Sequence, residues 1–264
     1  MRNALIICAL VLSNLVFAET VTQTFKDSKL NALDIEMISG NVTLTESNGT
    51  QITVTADKKK FEKNCKLEVK KDKNKLEIEV EEEGGWFVKS ECEVNFQIAL
   101  PKNFSVSIDN GAGNLSVQGA TKNIDCDLGG GNVKISGPLK SLKCDVGGGS
   151  ISANQLTGNA EVSTGAGDIN LSFTKETQLI KVDTSTGAGN IDIKLHSPIA
   201  KGSLKLSTGA GDAQVALPSA AQVKADLSTG IGNVNNEFAT AKKPAFDVEL
   251  SSGMGNLKVY KLKK

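Results

Sequence analysis

The sequence predicts an all-β chain wound as a parallel β-helix or β-solenoid, with about eight glycine-turn coils and an N-terminal β extension or cap. Two observations predict it: a glycine turn that recurs eight times, and apolar residues standing in fixed columns on both sides of every turn. A third, the placement of two cysteines, bears on how successive units pair.

The chain opens MRNALIICALVLSNLVFAET, in which Arg2 precedes an apolar run from Ala4 to about Val16, and Val16 and Ala18 bracket a cleavage point. Residues 1–18 read as a secretory signal peptide, because that run is too short to span a bilayer. Cys8 lies within it, but Ile6 and Ile7 are too bulky for lipoprotein processing. The expected mature chain begins at Glu19, has no transmembrane segment, and is exported to the periplasm, the cell surface or the medium.

Residues 19–104 read as an N-terminal β region that caps the solenoid. MISGNVTLT around Gly40 is a faint relative of the later units. From residue 50 to 100, ITVTADKKK, CKLEVKK, KLEIEVEEE and CEVNFQIAL alternate apolar with charged residues over longer strands, with a turn around Asp72 to Asn74. Cys65 is in phase with Leu67 and Val69, and Cys92 with Val94, Phe96 and Ile98, so both face inward. They are the preferred disulfide pair, contributing about 3 kcal/mol through loop entropy.

Residues 105–264 carry the repeats. The first glycines of the eight turns are Gly111, Gly129, Gly147, Gly165, Gly187, Gly209, Gly230 and Gly253, spaced 18, 18, 18, 22, 22, 21 and 23 residues apart. The positions five and three before, and four and six after, are apolar in thirty of thirty-two cases, the exceptions being Thr184 and Asn236. The column four before is as consistently polar, from Ser107 and Asp125 to Asp226 and Glu249. Each turn is thus flanked by two short strands with one face in and one face out. One unit cannot bury its apolar face alone, but eight stacked at about 4.8 Å per layer form one core in a rod roughly 40 Å long. The variable lengths fall in links such as SFTKETQLIK and HSPIAKGS, where insertions cost little.

An antiparallel meander with every turn a hairpin tip gives the same columns. Cys126 and Cys144 separate the two, because they share a column in neighbouring units. In a solenoid they lie one strand spacing apart and can bond; in a meander a strand intervenes. The lysine-rich end KVYKLKK is expected either to guard the last strand edge or to mark an oligomer contact.

The sequence resembles a bacterial putative-adhesin family, the DUF4097 β-solenoids. The resemblance rests on SGNVTL near Gly40, the charged alternating strands, QIALPKNFSVSIDNGAGNLSVQG, and the serial STGAGN and STGAGD turns. It covers nearly all of the mature chain, and it implies a parallel β-helix exported or displayed at the cell envelope, with no established enzymatic activity and no catalytic residues to carry over.

Composition narrows the partners. The chain has 30 basic and 30 acidic residues, and losing Arg2, its one arginine, leaves 29 lysines against 30 acids, a net charge of −1. Nucleic acid is not favoured, and bidentate arginine recognition is not open to the mature chain. A phosphate cradle is also disfavoured, since the glycines precede strands and no GK[ST] follows them. Secreted calcium repeats place ligand turns about every nine residues, with aspartate one position later. Here the residue after the second glycine is mostly neutral, as in Asn114, Asn132, Asn190 and Asn256, which suits a hydrogen-bonded ladder.

One column leaves a cation question open. Asp109, Asp127 and Asp145 stand two before the glycine, where later units carry serine, so turn capping and a weak cation site compete. His196, the one histidine, sits in a link with no marked nucleophile. The Thr164, Thr186, Thr208 and Thr229 column, each preceded by serine, would order water or ice on a flat face, but it sits on the turn and not on a strand, which disfavours that role. Trp86 and Phe87, in EEEGGWFVKSE, are candidate contact residues or a cap over the solenoid end.

No catalytic, cofactor or metal residues are assigned. The expected function is a non-catalytic exported envelope scaffold or adhesin, binding an envelope protein or glycan across several coils. The alternative is a glycosidase or lyase acting on polysaccharide, which needs two carboxylates about 5 to 9 Å apart in one groove.

Overall fold

The computed structural model describes residues 19–83, 91–119, 121–174, 179–197, 201–244 and 246–262. Among them there is no helix, and no helix long and apolar enough to cross a membrane. In the N-terminal part the strands are β1 (Glu19–Lys26), β2 (Ala32–Ser39), β3 (Val42–Glu46), β4 (Gln51–Phe61), β5 (Cys65–Asp72), β6 (Lys75–Glu82) and β7 (Cys92–Leu100). The chain continues through β8 (Phe104–Ala112), β9 (Leu115–Gln118), β10 (Thr121–Leu128), β11 (Val133–Val146), β12 (Ile151–Ala166), β13 (Ile169–Phe173) and β14 (Leu179–Ala188). The last are β15 (Ile191–Leu195), β16 (Lys201–Ala210), β17 (Ala213–Leu217), β18 (Val223–Ile231), β19 (Val234–Asn236), β20 (Phe246–Met254) and β21 (Leu257–Lys261).

Two parallel ladders run the length of the stack, one on each side of the glycine turns. The first passes β6–β2–β8–β10–β11–β12–β14–β16–β20–β18. The second passes β7–β3–β9–β11–β12–β13–β15–β17–β21–β19. The long strands β11 and β12 join both, one half in each ladder. Parallel pairing of consecutive units excludes the meander. It also sets Cys126 directly against Cys144, where they are bonded with Cα atoms 4.6 Å apart.

Neither end of the stack follows chain order. The layer β2/β3 lies between β6/β7 and β8/β9, and the layer β20/β21 lies between β16/β17 and β18/β19. Both the first and the last layers of the sequence are therefore sandwiched inside the stack. The expected role of KVYKLKK as an edge guard is overturned, because β21 is paired on both sides, by β17 and β19. Beyond β6 and β7 the pairing turns antiparallel, through the β5–β6 hairpin and the β4–β7 and β1–β4 pairs. A disulfide joins Cys65, at the start of β5, to Cys92, at the start of β7, with Cα atoms 5.6 Å apart.

The inward columns form one continuous apolar cluster from Leu30 to Val259. All thirty-two column positions are buried except Ala225, Leu227, Val234 and Asn236, which belong to one unit, the end layer β18/β19. Polarity at Asn236 follows from that place, since its outer side meets no further layer.

The glycines answer to crowding between layers. At Gly189 the backbone has φ +150°, and a Cβ there would lie 2.0 Å from the carbonyl oxygen of Gly167 in the layer below. The residue after it carries the ladder that binds the corners together. The Asn41 backbone N–H donates to the side-chain carbonyl of Asn95 (2.8 Å), that of Asn114 to Asn41 (2.9 Å), that of Asn132 to Asn114 (2.9 Å) and that of Asn190 to the Asp168 carboxylate (2.8 Å). At the far end the order is Asp212 to Asn256 to Asn233, so the ladder tracks the spatial sequence of layers and not the chain.

Candidate binding face

The outward columns of the first ladder build a polar face. Two positions before each turn glycine, Asp109, Asp127 and Asp145 stack in register. The structure lengthens this column by Glu36 and Glu79, then continues it as Ser163, Ser185 and Ser207. The added carboxylates come from strands whose layer order the sequence did not disclose. All three aspartates are exposed, and Ser163 donates a hydrogen bond to Asp145. No group of three or more His, Cys, Asp or Glu residues able to hold a metal ion occurs among the described residues.

Turn capping falls one residue later than the aspartates. The Thr164 hydroxyl donates to the Gly149 carbonyl (2.9 Å), Thr186 to Gly167 (3.0 Å), Thr208 to Gly189 (3.0 Å) and Thr229 to Gly255 (3.0 Å). Thr164, Thr186 and Thr208 are buried and Thr229 half-buried, so the column is not a water- or ice-ordering face. The reason is strand phase: the column two residues after an inward position points inward again. Asn110 occupies the same slot and donates to the Gly40 carbonyl (2.9 Å).

Next to the acidic column a cleft runs across the strands. One section, about 520 Å³, spans β6, β2, β8, β10 and β11 and is lined by Lys75, Asp34, Ser105, Ser107, Asn123, Asp125, Ser141 and Lys143. A second, about 320 Å³, continues over β11, β12 and β14 with Ser141, Lys143, Asn159, Glu161, Lys181 and Asp183. The two sections share Ser141 and Lys143. Short side chains on successive strands make the depression, and register shifts at Thr121/Asn123 and Leu139/Ser141 mark its upstream edge.

Charges of both signs line the cleft. Lys75 bridges Asp34 (2.9 Å) and Glu77 (3.3 Å), and these partners, Asp34 first, hold its ammonium above the ordinary value of 10.5. Lys143 reaches Asp125 at 3.8 Å. Asn159 accepts the backbone N–H of Lys181 (2.9 Å), and Asn123 donates to Ser105 (3.2 Å). Glu161 and Asp183 stand opposite each other on adjacent strands, both exposed. The arrangement offers many weak hydrogen bonds and ion pairs, each worth about 1 kcal/mol or less at exposed positions.

On the second ladder, Ser172 Oγ lies 3.2 Å from His196 Nε2 beside a cleft of about 240 Å³ lined also by Gln155 and Phe173. Asp192, two strand positions from Lys194, is engaged by Lys194 (3.3 Å) and Gln214 (3.1 Å) through one oxygen, while its other oxygen is buried without a hydrogen-bond partner among the described residues. Burial, and then the charge of Asp192, push the Tyr260 phenol above its ordinary value of 10.0. These groups do not assemble a triad, because among the described residues no carboxylate hydrogen-bonds His196. Trp86 and Phe87 lie outside the described residues.

A family model described as Toastrack DUF4097 matches residues 30–260. No curated protein matches the chain. Among solved structures, one described as a "putative adhesin" from Bacteroides fragilis is 14% identical with a TM-score of 0.47, covering 91% of this chain and 97% of its own. Another "putative adhesin", from Parabacteroides distasonis, is 16% identical with a TM-score of 0.44, over 93% of this chain and 98% of its own. A "putative lipid binding protein" from the same species is 17% identical with a TM-score of 0.41, over 92% and 97%. With its glycine turns, stacked layers and a match over nearly the whole described chain, the protein belongs to the Toastrack DUF4097 family.

Proposed function

We propose that the protein is a non-catalytic, exported scaffold or adhesin of the cell envelope that binds an extended polar partner, an envelope glycan or protein, along its first ladder. In this reading residues 1–18 are removed on export, residues 19–104 cap the stack, and residues 105–264 supply eight glycine-turn coils. The observation that carries it is the cleft that crosses seven strands, from β6 to β14, with serine and asparagine on its floor and charges of both signs on its rim. A partner lying across the strands meets equivalent groups about every 4.8 Å, so affinity accumulates over several layers. The two disulfides fit an oxidising compartment outside the cytoplasm.

The test is binding of the chain to polysaccharide and protein fractions of its own envelope. Asp125→Asn, Lys143→Gln and Asp183→Asn are each expected to weaken binding only about two- to fivefold, and the triple variant to lose it. Loss of all binding on one substitution contradicts the distributed mode. The polysaccharide-acting alternative rests on Glu161 and Asp183, the carboxylates on neighbouring strands of the cleft. It predicts new reducing ends or unsaturated products that disappear in Glu161→Gln; the scaffold reading predicts none.

A further inference from the structure

At the far end of the stack the last layer, β18/β19, is covered only in part. β18 and β19 pair only with β20 and β21, so among the described strands each has one edge without a neighbour. Phe238 packs back onto this end and the Ala241 N–H donates to the Val223 carbonyl (3.1 Å), but Leu227 is only half-buried and Val234 is 50% exposed. The adjoining corner departs from the rest of the molecule as well. The residue after the first turn glycine is alanine or glycine in six units, from Ala112 to Ala210, and becomes Met254 and Ile231 in the two terminal layers. Those two stand in register with each other, 57% and 71% exposed. Large apolar side chains at a corner otherwise kept small, beside an open strand edge, mark a contact surface.

We propose that this end face binds the same face of a second copy, giving an end-to-end dimer with two-fold symmetry. The β18 sequence VKADLSTGI fits itself in antiparallel pairing. Centred on Ala225, the register sets Lys224 against the partner's Asp226 twice over on the outward face, and the pairing stops short of Val223, whose carbonyl already takes the Ala241 N–H. Within one chain Lys224 and Asp226 already pair at 2.9 Å, both largely exposed and free to exchange partners. The opposite end of the stack offers no equivalent surface. Its outer strands β5 and β1 also pair on one side only among the described strands, but β5 carries Lys66, Glu68 and Lys70 in ion pairs, which guard that edge. A second copy therefore docks tail to tail, which closes as a dimer, and not head to tail, which propagates as a filament.

This proposal stands apart from the binding-face reading and has its own test. The chain, purified after export with its disulfides intact, is followed by sedimentation across a concentration series. The expected result is a monomer–dimer equilibrium. Ile231→Asp and Val234→Asp should give monomers with unchanged thermal midpoints, since both side chains are already exposed. Lys224→Asp should weaken association about tenfold or more by opposing the partner's Asp226, and adding Asp226→Lys to the same chain should restore it. A wild-type chain that stays monomeric to about 1 mM, one that forms filaments, or a dimer indifferent to these substitutions overturns the proposal.

Discussion

The smallest unit that explains the fold is a hydroxyl or amide set against a glycine carbonyl in the layer below. Thr186 is buried and donates to Gly167, in a site shaped by Gly187 and Gly189, where the crowding of Gly189 leaves no room for a side chain. Replacing Thr186 with valine keeps the volume and strands the carbonyl, so denaturant unfolding should show a loss of about 1–3 kcal/mol; no loss would mean that water satisfies the group. The role was only half legible in the sequence. The threonine column was visible, but its phase was assigned to the surface because the turn hid the alternation that carries it inward. The asparagine ladder was legible in kind, because a neutral amide repeated at one turn position has a partner of its own type in each neighbouring layer. Trp86 and Phe87 illustrate the opposite case, in which one sequence stretch fits both cap and contact.

At the scale of the element, the columns flanking each turn defined strands that the structure contains, and Cys126 and Cys144 distinguished parallel from antiparallel pairing. The column that elsewhere holds a capping Asn, Thr or Ser is apolar at Leu128 and Val146, and these are the two layers that this disulfide links. Layer order was not legible. Every inward column looks alike to its neighbours, so nothing in the apolar pattern says that β20/β21 slips between β16/β17 and β18/β19. The clue lay in the departures of one unit, Ala225 and Asn236, whose weaker apolar character belongs to an end layer. Interleaving has a consequence for truncation. A chain ending at residue 245 loses an interior layer and leaves β18/β19 with no partner, so circular dichroism should show loss of strand signal and a large fall in thermal midpoint. If the shortened chain melts like the parent, β18/β19 must pair directly with β16/β17.

Across the whole molecule the same repetition that builds the core also repeats the surface. Sandwiching the first and last layers of the sequence ties both ends of the stack to interior neighbours, and the antiparallel strands close one of them. What results is a stiff face on which Ser105, Asn123, Ser141 and Asn159 recur at strand spacing between charged rims. Such a face has no single centre, which is why the sequence gives candidate residues in columns and no constellation. The fold was therefore readable from periodicity, whereas the cleft depends on side-chain size and register shifts that periodicity does not report. The most direct test of the proposed function is hydrogen–deuterium exchange of the disulfide-bonded chain with and without a bacterial envelope polysaccharide fraction. Distributed binding predicts graded protection across β8, β10, β11, β12 and β14 with the polymer unchanged; protection confined to one layer, or cleavage of the polymer, would contradict it.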